Sequence, residues 1–274
     1  MQTDLAGKVV IITGASGAIG AAIARRFAEE GAKLVLHYRS NPSNAKALAR
    51  KLKPGESIVV GADLVKEAEV RRLVNQSVKR FGRIDTLIAN AGSWETRDVP
   101  LQRMTSLQWR HTLDNVLTST FLTLRDFFKI VEVQKRGNAV LISSTAGVVG
   151  EAGHADYAAA KSAMAFGLTR SLKNEIARIA PVAPGYCGGR VNCICPGWTI
   201  VPRTAERLKD ANVVRRVTST MALPKLGQPD DVANTAVFLS SDTLAGHITG
   251  QTVIIAGGME GRLLWPAGPP SEAD

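Results

Sequence analysis

Tyr157 and Lys161 stand four residues apart in a stretch, 155–180, whose apolar spacing predicts a helix. At that spacing two side chains share one helix face about one turn apart. A phenol with a pKa near ~10 must drop about 3 units to give and take protons readily near neutrality. Three units is about 4 kcal/mol, and one ammonium about 4 Å away at an effective dielectric of ~20 supplies that much. The pair is therefore expected to bring the tyrosine into the working range and to run general acid–base chemistry. Alone, a Tyr and a Lys at this spacing is also what an amphipathic helix carries by accident. Ser144 adds the context, because it follows a strand-like run, 139–143, one strand-to-helix step before Tyr157. Ligands bind at the C-terminal ends of strands in open α/β sheets, where a serine hydroxyl can hydrogen-bond a substrate oxygen. Ser143, one residue earlier, should point elsewhere.

The elements that must hold these groups repeat a short apolar run and a longer amphipathic one. Strands are expected at 8–13, 33–38, a run ending at Gly61, 86–89, 139–143, 191–195 and 252–255. Helices are expected at 18–30, 41–53 with Pro42 in its first turn, 66–81, about 105–131, and 155–180. Near-continuous Val/Ile/Leu strands alternating with helices imply a parallel seven-stranded sheet flanked by helices on both faces. Residues 181–189, rich in Pro and Gly, read as a surface loop.

The first strand runs into residues 13–20, TGASGAIG, and then a helix. Small residues there let the backbone approach a pyrophosphate, and the helix N-terminus offers unpaired N–H groups and about half a positive charge. The spacing differs from GxGxxG, and a glycine-rich turn alone also serves a tight bend. The second strand ends His37-Tyr38-Arg39-Ser40. An acid there would hold a ribose 2′-hydroxyl, whereas Arg39 clamps a phosphate and Ser40 adds a donor.

Residues 13–20 resemble the TGxxxGxG motif of the short-chain dehydrogenase/reductase family, and the resemblance continues through Asp63, residues 88–92 (IANAG, similar to NNAG), Asn115, Ser144 with Tyr157-Ala-Ala-Ala-Lys161, and Cys195-Pro196-Gly197. Ala18, Ala89, Val201 and Ala256 depart from the family pattern. The resemblance implies an α/β fold, a single doubly wound Rossmann-type domain over 1–262, with 198–227 as substrate loop and 263–274 as a tail. It also implies that NADP(H) lies against Gly14, Ser16, Ile19, Gly20, Arg39, Ser40, Asp63, Leu64, Asn90, Ala91, Gly92, Tyr157, Lys161, Pro196, Gly197 and Thr199. Ser144, Tyr157 and Lys161 are then expected to interconvert a ketone or aldehyde and an alcohol, with Asn115 holding a water that relays protons through Lys161. A catalytically silent cofactor-binding or scaffold protein is the alternative.

A net charge of +10 raises nucleic acid as a partner, but the basic residues are dispersed and aromatics make up only 5%. Solubility and attraction for an anionic small molecule are the favoured reading of the charge. Arg203, Arg207, Lys209, Arg215 and Arg216 crowd the substrate loop and suit an acidic substrate, though a solvated helix face carries such residues too. His154, Trp94 and Tyr186 are further candidates to line the pocket. Cys187, Cys193 and Cys195 read as reduced thiols, and no metal is expected. No run approaches the roughly 20 apolar residues of a membrane helix, and the start lacks a signal-peptide pattern, so a cytoplasmic protein is expected. Family resemblance suggests a homotetramer or homodimer.

Overall fold

A computed structural model describes residues 2–53, 55–93, 95 and 97–259. Among these, seven parallel strands form one sheet: β1 (Val9–Ile12), β2 (Lys33–Tyr38), β3 (Ser57–Gly61), β4 (Thr86–Ala89), β5 (Asn138–Ile142), β6 (Arg190–Pro196) and β7 (Thr252–Ile255). The helices, in chain order, begin with α1 (Ala18–Glu29), α2 (Ser43–Lys51), α3 (Glu67–Phe81), α4 (Ser106–Leu113), α5 (Ser119–Gln134) and α6 (Ala146–Val149). They continue with α7 (Ala155–Ser162), α8 (Thr169–Ile179), α9 (Pro202–Ala205), α10 (Ala211–Thr218), α11 (Pro229–Ser240) and α12 (Asp242–Ala245).

The strand order is β3-β2-β1-β4-β5-β6-β7. The chain winds outward from β1 to β3, then crosses to the other side of β1 for β4. That reversal opens a crevice beyond the carboxyl ends of β1 and β4, the place where such sheets take ligands. Alternate residues on each strand feed opposite cores. Ile11, Val35, Leu87 and Ala139 face the layer that includes Leu73, Phe127 and Met164. Val10, Ile12, Leu34, Leu36, Ile88 and Val140 face Ile23 and Phe27 of α1 and Val232 and Ala236 of α11. Burying each such large side chain contributes about 2 kcal/mol, so both faces anchor the strand ends that carry the site.

The expected elements are present, with instructive differences. Pro42 is the residue before α2 rather than a member of its first turn, because the Asn41 side chain already accepts the Ser43 N–H at 2.9 Å and starts the helix there. The two long helices expected at 105–131 and 155–180 are each broken by a wider π-helical segment, Asp114–Thr118 and Ala163–Leu168. Hydroxyls meet the carbonyls displaced by this change of register: Thr169 Oγ1 donates to Met164 O at 2.8 Å and Ser119 Oγ to Asn115 O at 2.8 Å. Such segments are rare and concentrate at functional sites.

Helix α11 lies outside the expected elements, although Pro229 at its start and Asp231, whose carboxylate accepts the Gln228 N–H at 2.8 Å, form a legible N-terminal signal. Buried Arg190 fixes its far end, donating to Leu239 O at 2.8 Å and Ser241 O at 3.2 Å. The segment 198–227 carries the short helices α9 and α10. The expected tail at 263–274 lies outside the described residues.

Candidate active site

The turn after β1 is built around Gly14, whose φ of 68° is left-handed backbone that glycine adopts without strain. A Cβ on Gly20 would stand 2.3 Å from Gly14 O and 2.9 Å from Ala15 Cα, so α1 can close on the turn only with glycine there. Gly17 precedes α1 and no side chain caps the helix. The first N–H groups of the helix, from Ala18, Ile19 and Gly20, therefore point outward with the dipole behind them. Asn90, just past β4, braces the turn: its Nδ2 donates to Thr13 O at 2.9 Å, and the Asn90 and Ala91 amides both meet Thr13 Oγ1 at 2.9 Å. Ser16 is tied to α2 through Asn44, which donates to Ser16 O at 3.3 Å.

Arg39 and Ser40 are exposed at the end of β2, with no acid in that turn. The arginine reaches across the crevice, Nη1 donating to Asn115 Oδ1 at 2.7 Å. Asp63 follows β3, and its Oδ1 accepts the Val65 N–H at 3.4 Å, with Leu64 buried beside it. Gly92 opens toward Lys161, whose Nζ lies 3.6 Å from where a Cβ would be. On the far wall Gly197 donates to Ile255 O at 2.9 Å, and Thr199 Oγ1 donates to Gly197 O at 3.1 Å. Ala256 packs against bare Gly197, where a Cβ would sit 2.8 Å from the Ala256 methyl.

Uncapped helix amides, a glycine-lined turn and a cationic strand end suit a pyrophosphate and a 2′-phosphate, so the residues present fit NADP(H). Among the described residues no group of three or more His, Cys, Asp or Glu gathers to hold a metal.

Ser144 leaves β5 at the same edge. Its hydroxyl accepts the Ala146 N–H at 3.1 Å and hydrogen-bonds the Tyr157 phenol. Ser143 turns inward, donating to Lys161 O at 2.7 Å. Lys161 is 4% exposed; its Nζ donates to Ile142 O at 2.7 Å and lies 5.7 Å from the Tyr157 ring centre. Asp156, buried between α4 and α7, fixes the start of α7: it accepts Tyr157 N–H at 2.8 Å and the Thr112 hydroxyl at 2.6 Å. Ser144, Tyr157 and Lys161 are thus brought together, whereas the Asn115 side chain is engaged by Arg39 and by His111, donating to His111 O at 2.8 Å.

One electrostatic expectation is corrected. Burial pushes the Tyr157 phenol up to about 12, with Glu151 and Cys195 adding to the rise; the Ser144 hydrogen bond and the charge of Arg203 act the other way. The lysine does not bring the phenol down, because its ammonium is turned to the Ile142 carbonyl and is itself desolvated, pushed down to about 8 despite Cys193 and Cys195 beneath it. The phenol is therefore a protonated donor at neutral pH, and Arg203 on α9 is a cation whose field reaches it.

Tyr186 is not a pocket residue. Its hydroxyl accepts the Gly137 N–H at 2.9 Å at the opposite, amino-terminal end of β5. His154 is buried, 4% exposed, and its Nε2 lies 3.1 Å from Asp98 Oδ1. Trp94 lies outside the described residues. Reasoning from sequence missed Asp156 and His37, though a histidine inside an apolar strand beside the phosphate loop was a visible signal.

A doubly wound sheet with this loop and this Ser–Tyr–Lys cluster defines a class, and the comparisons agree. A family model described as enoyl-(acyl carrier protein) reductase matches residues 14–260, and the chain belongs to the short-chain dehydrogenase/reductase family. It is an oxidoreductase that interconverts carbonyl and alcohol groups with NADP(H). Among its relatives, a 3-oxoacyl-[acyl-carrier-protein] reductase of Synechocystis is 36% identical over 260 residues, covering 94% of this chain and 99% of that protein. The 3-oxoacyl-[acyl-carrier-protein] reductase FabG of Staphylococcus aureus is 34% identical over 254 residues, covering 92% and 98%. No helix of the described residues is long and apolar enough to cross a membrane.

Proposed function

We propose that the chain reduces the ketone of a 3-oxoacyl thioester, with residues 1–262 as one catalytic unit and Tyr157 as proton donor. The observation that carries the chemistry is the Ser144–Tyr157 hydrogen bond beside buried Lys161 at the carboxyl edge of β5. NADP(H), when bound, supplies the hydride. Ser144 Oγ and the Tyr157 hydroxyl converge on the position of a carbonyl oxygen, polarising it and delivering one proton to it. Lys161, held by the Ile142 carbonyl 5.7 Å from the ring centre, replaces the proton that the phenol gives up. The loop from Gly14 to Gly20 holds the pyrophosphate, Arg39 and Ser40 the 2′-phosphate, Asp63 and Leu64 the adenine side. Residues Asn90–Gly92 and Pro196–Thr199 flank the ribose and nicotinamide, and Asn115 serves the proton relay.

The family model is titled for enoyl reduction while the relatives are named for 3-oxoacyl reduction. The spacing of Tyr157 and Lys161 favours the second, since enoyl reductases of this family resemble a wider separation. A silent scaffold would not require Ser144, Tyr157 and Lys161 to converge. Exposed Arg203 and Arg207, the latter stacked 5.3 Å from the Trp198 ring centre, suit an acidic substrate or carrier. Following NADPH absorbance with a 3-oxoacyl thioester, an enoyl thioester and simple ketones tests the reading. Consumption is expected with the 3-oxoacyl compound; consumption with the enoyl compound alone contradicts it.

We further propose a cytoplasmic homo-oligomer joined through α4 and α5, where Leu107, Trp109, Phe121 and Val133 are exposed apolar residues. Light scattering is expected to give a dimer or tetramer, with Phe121→Asp shifting it toward monomer. A wild-type monomer at micromolar concentration refutes that part.

A further inference from the structure

His37 is buried in β2, 2% exposed, between the phosphate loop and the end of β3. Its Nδ1 accepts the Gly14 N–H at 3.0 Å, and its own main-chain carbonyl accepts the Ala15 N–H at 2.8 Å. Because an amide N–H can only donate, Nδ1 must be bare, so the ring is the neutral tautomer whose Nε2–H donates to Ala62 O at 2.9 Å. One side chain thus ties the first amide of the phosphate loop to the residue preceding Asp63. Taking up the Gly14 and Ala15 amides also leaves the N–H groups at the start of α1 as the ones presented to a ligand.

We infer that His37 is the positioning residue of the phosphate loop, holding it in the cofactor-binding shape only as the neutral imidazole. The inference rests on the reading of this loop as the NADP(H) pyrophosphate site. Protonation would set an Nδ1–H against the Gly14 N–H, replacing a hydrogen bond with two opposed donors and forcing the loop or the ring to move. Burial pushes the imidazole below its ordinary pKa of 6.5; the Ala62 carbonyl acts the other way, Arg39 just past the end of β2 adds to the fall, and Asp63 opposes it. The loop from Gly14 to Gly20 has no titratable side chain to contribute. A depressed histidine pKa means that the neutral ring's contribution to the fold is complete above pH 6.5 and is lost as the pH falls below it. The acid side is therefore where the loop weakens.

The test measures NADPH and NADH dissociation constants by cofactor fluorescence between pH 5 and 8, for the wild type, His37→Asn and His37→Leu. Asparagine places a carboxamide oxygen near the position of Nδ1 and does not titrate; leucine fills the space without either hydrogen bond. At pH 8, His37→Leu is expected to weaken both cofactors about tenfold, equally, because they share the pyrophosphate. His37→Asn should stay within about threefold of wild type. On acidification the wild type should lose more affinity than His37→Asn, since the titration of the 2′-phosphate near pH ~6 is common to both proteins. Wild-type affinity in a folded His37→Leu, or identical pH profiles for wild type and His37→Asn, overturns the inference. If His37→Leu does not fold, the comparison of the other two still decides. Failure of the wild type to bind NADPH at pH 8 contradicts the cofactor reading instead.

Discussion

Tyr157→Phe is expected to lower turnover about a thousandfold or more while leaving NADPH affinity within about threefold of wild type. The substitution removes one hydroxyl. The ring keeps its packing against the core and its place 5.7 Å from Lys161 Nζ. What is lost is the donor that Ser144 orients and that burial keeps protonated, at about 12, throughout the neutral range. Water does not substitute well for a positioned acid, and general acid catalysis alone accounts for about a hundred- to ten-thousandfold.

The wild type should show a matching pH dependence. With the phenol protonated and the Lys161 ammonium titrating at about 8, reductive turnover should hold at neutral pH and fall as the pH rises through that value. A pH–rate profile and a cofactor titration on both proteins check these points; retained turnover in Tyr157→Phe removes Tyr157 from the mechanism.

Arg39→Ala should separate the cofactors, weakening NADPH about thirtyfold or more and NADH about threefold or less. In the structure the guanidinium donates to the neutral Asn115 carboxamide at 2.7 Å, a bond it can exchange for a doubly charged phosphate. Charge-assisted, bidentate bonds are roughly twice as strong as neutral ones, so the exchange favours the phosphate. NADH offers Arg39 no such partner, and for it the residue matters only through the general positive field. Equal losses for the two cofactors, read by fluorescence titration, would rule out Arg39 as the 2′-phosphate contact.

The strands and the cluster around Tyr157 were legible because they depend on local patterns. Four consecutive buried residues in β1 and four in β4 read as apolar runs, and Tyr157, Lys161 and Ser144 sit at spacings set by helix and strand periods. The less legible features depend on partners distant in the chain. Helix α11 buries its apolar face on α1, and the role of His37 exists only because Gly14 and Ala62 arrive from other segments. The tyrosine pKa was misjudged for the same reason: spacing placed Lys161 near the phenol, but the Ile142 carbonyl from β5 claimed its ammonium. The π-helical turns after Leu113 and Ser162 carry no compositional mark.

We propose that this chain moves a hydride from NADPH to a carbonyl carbon while Tyr157 protonates the oxygen. The most direct test is a single turnover with NADPH deuterated at the hydride-donating carbon and a 3-oxoacyl thioester, followed by mass spectrometry of the product. The wild type is expected to place one deuterium on the carbinol carbon of a 3-hydroxyacyl product, and Tyr157→Phe to form that product at least about a thousandfold more slowly. A 3-hydroxyacyl product with no deuterium on its carbinol carbon, or no product at all, would contradict the proposal.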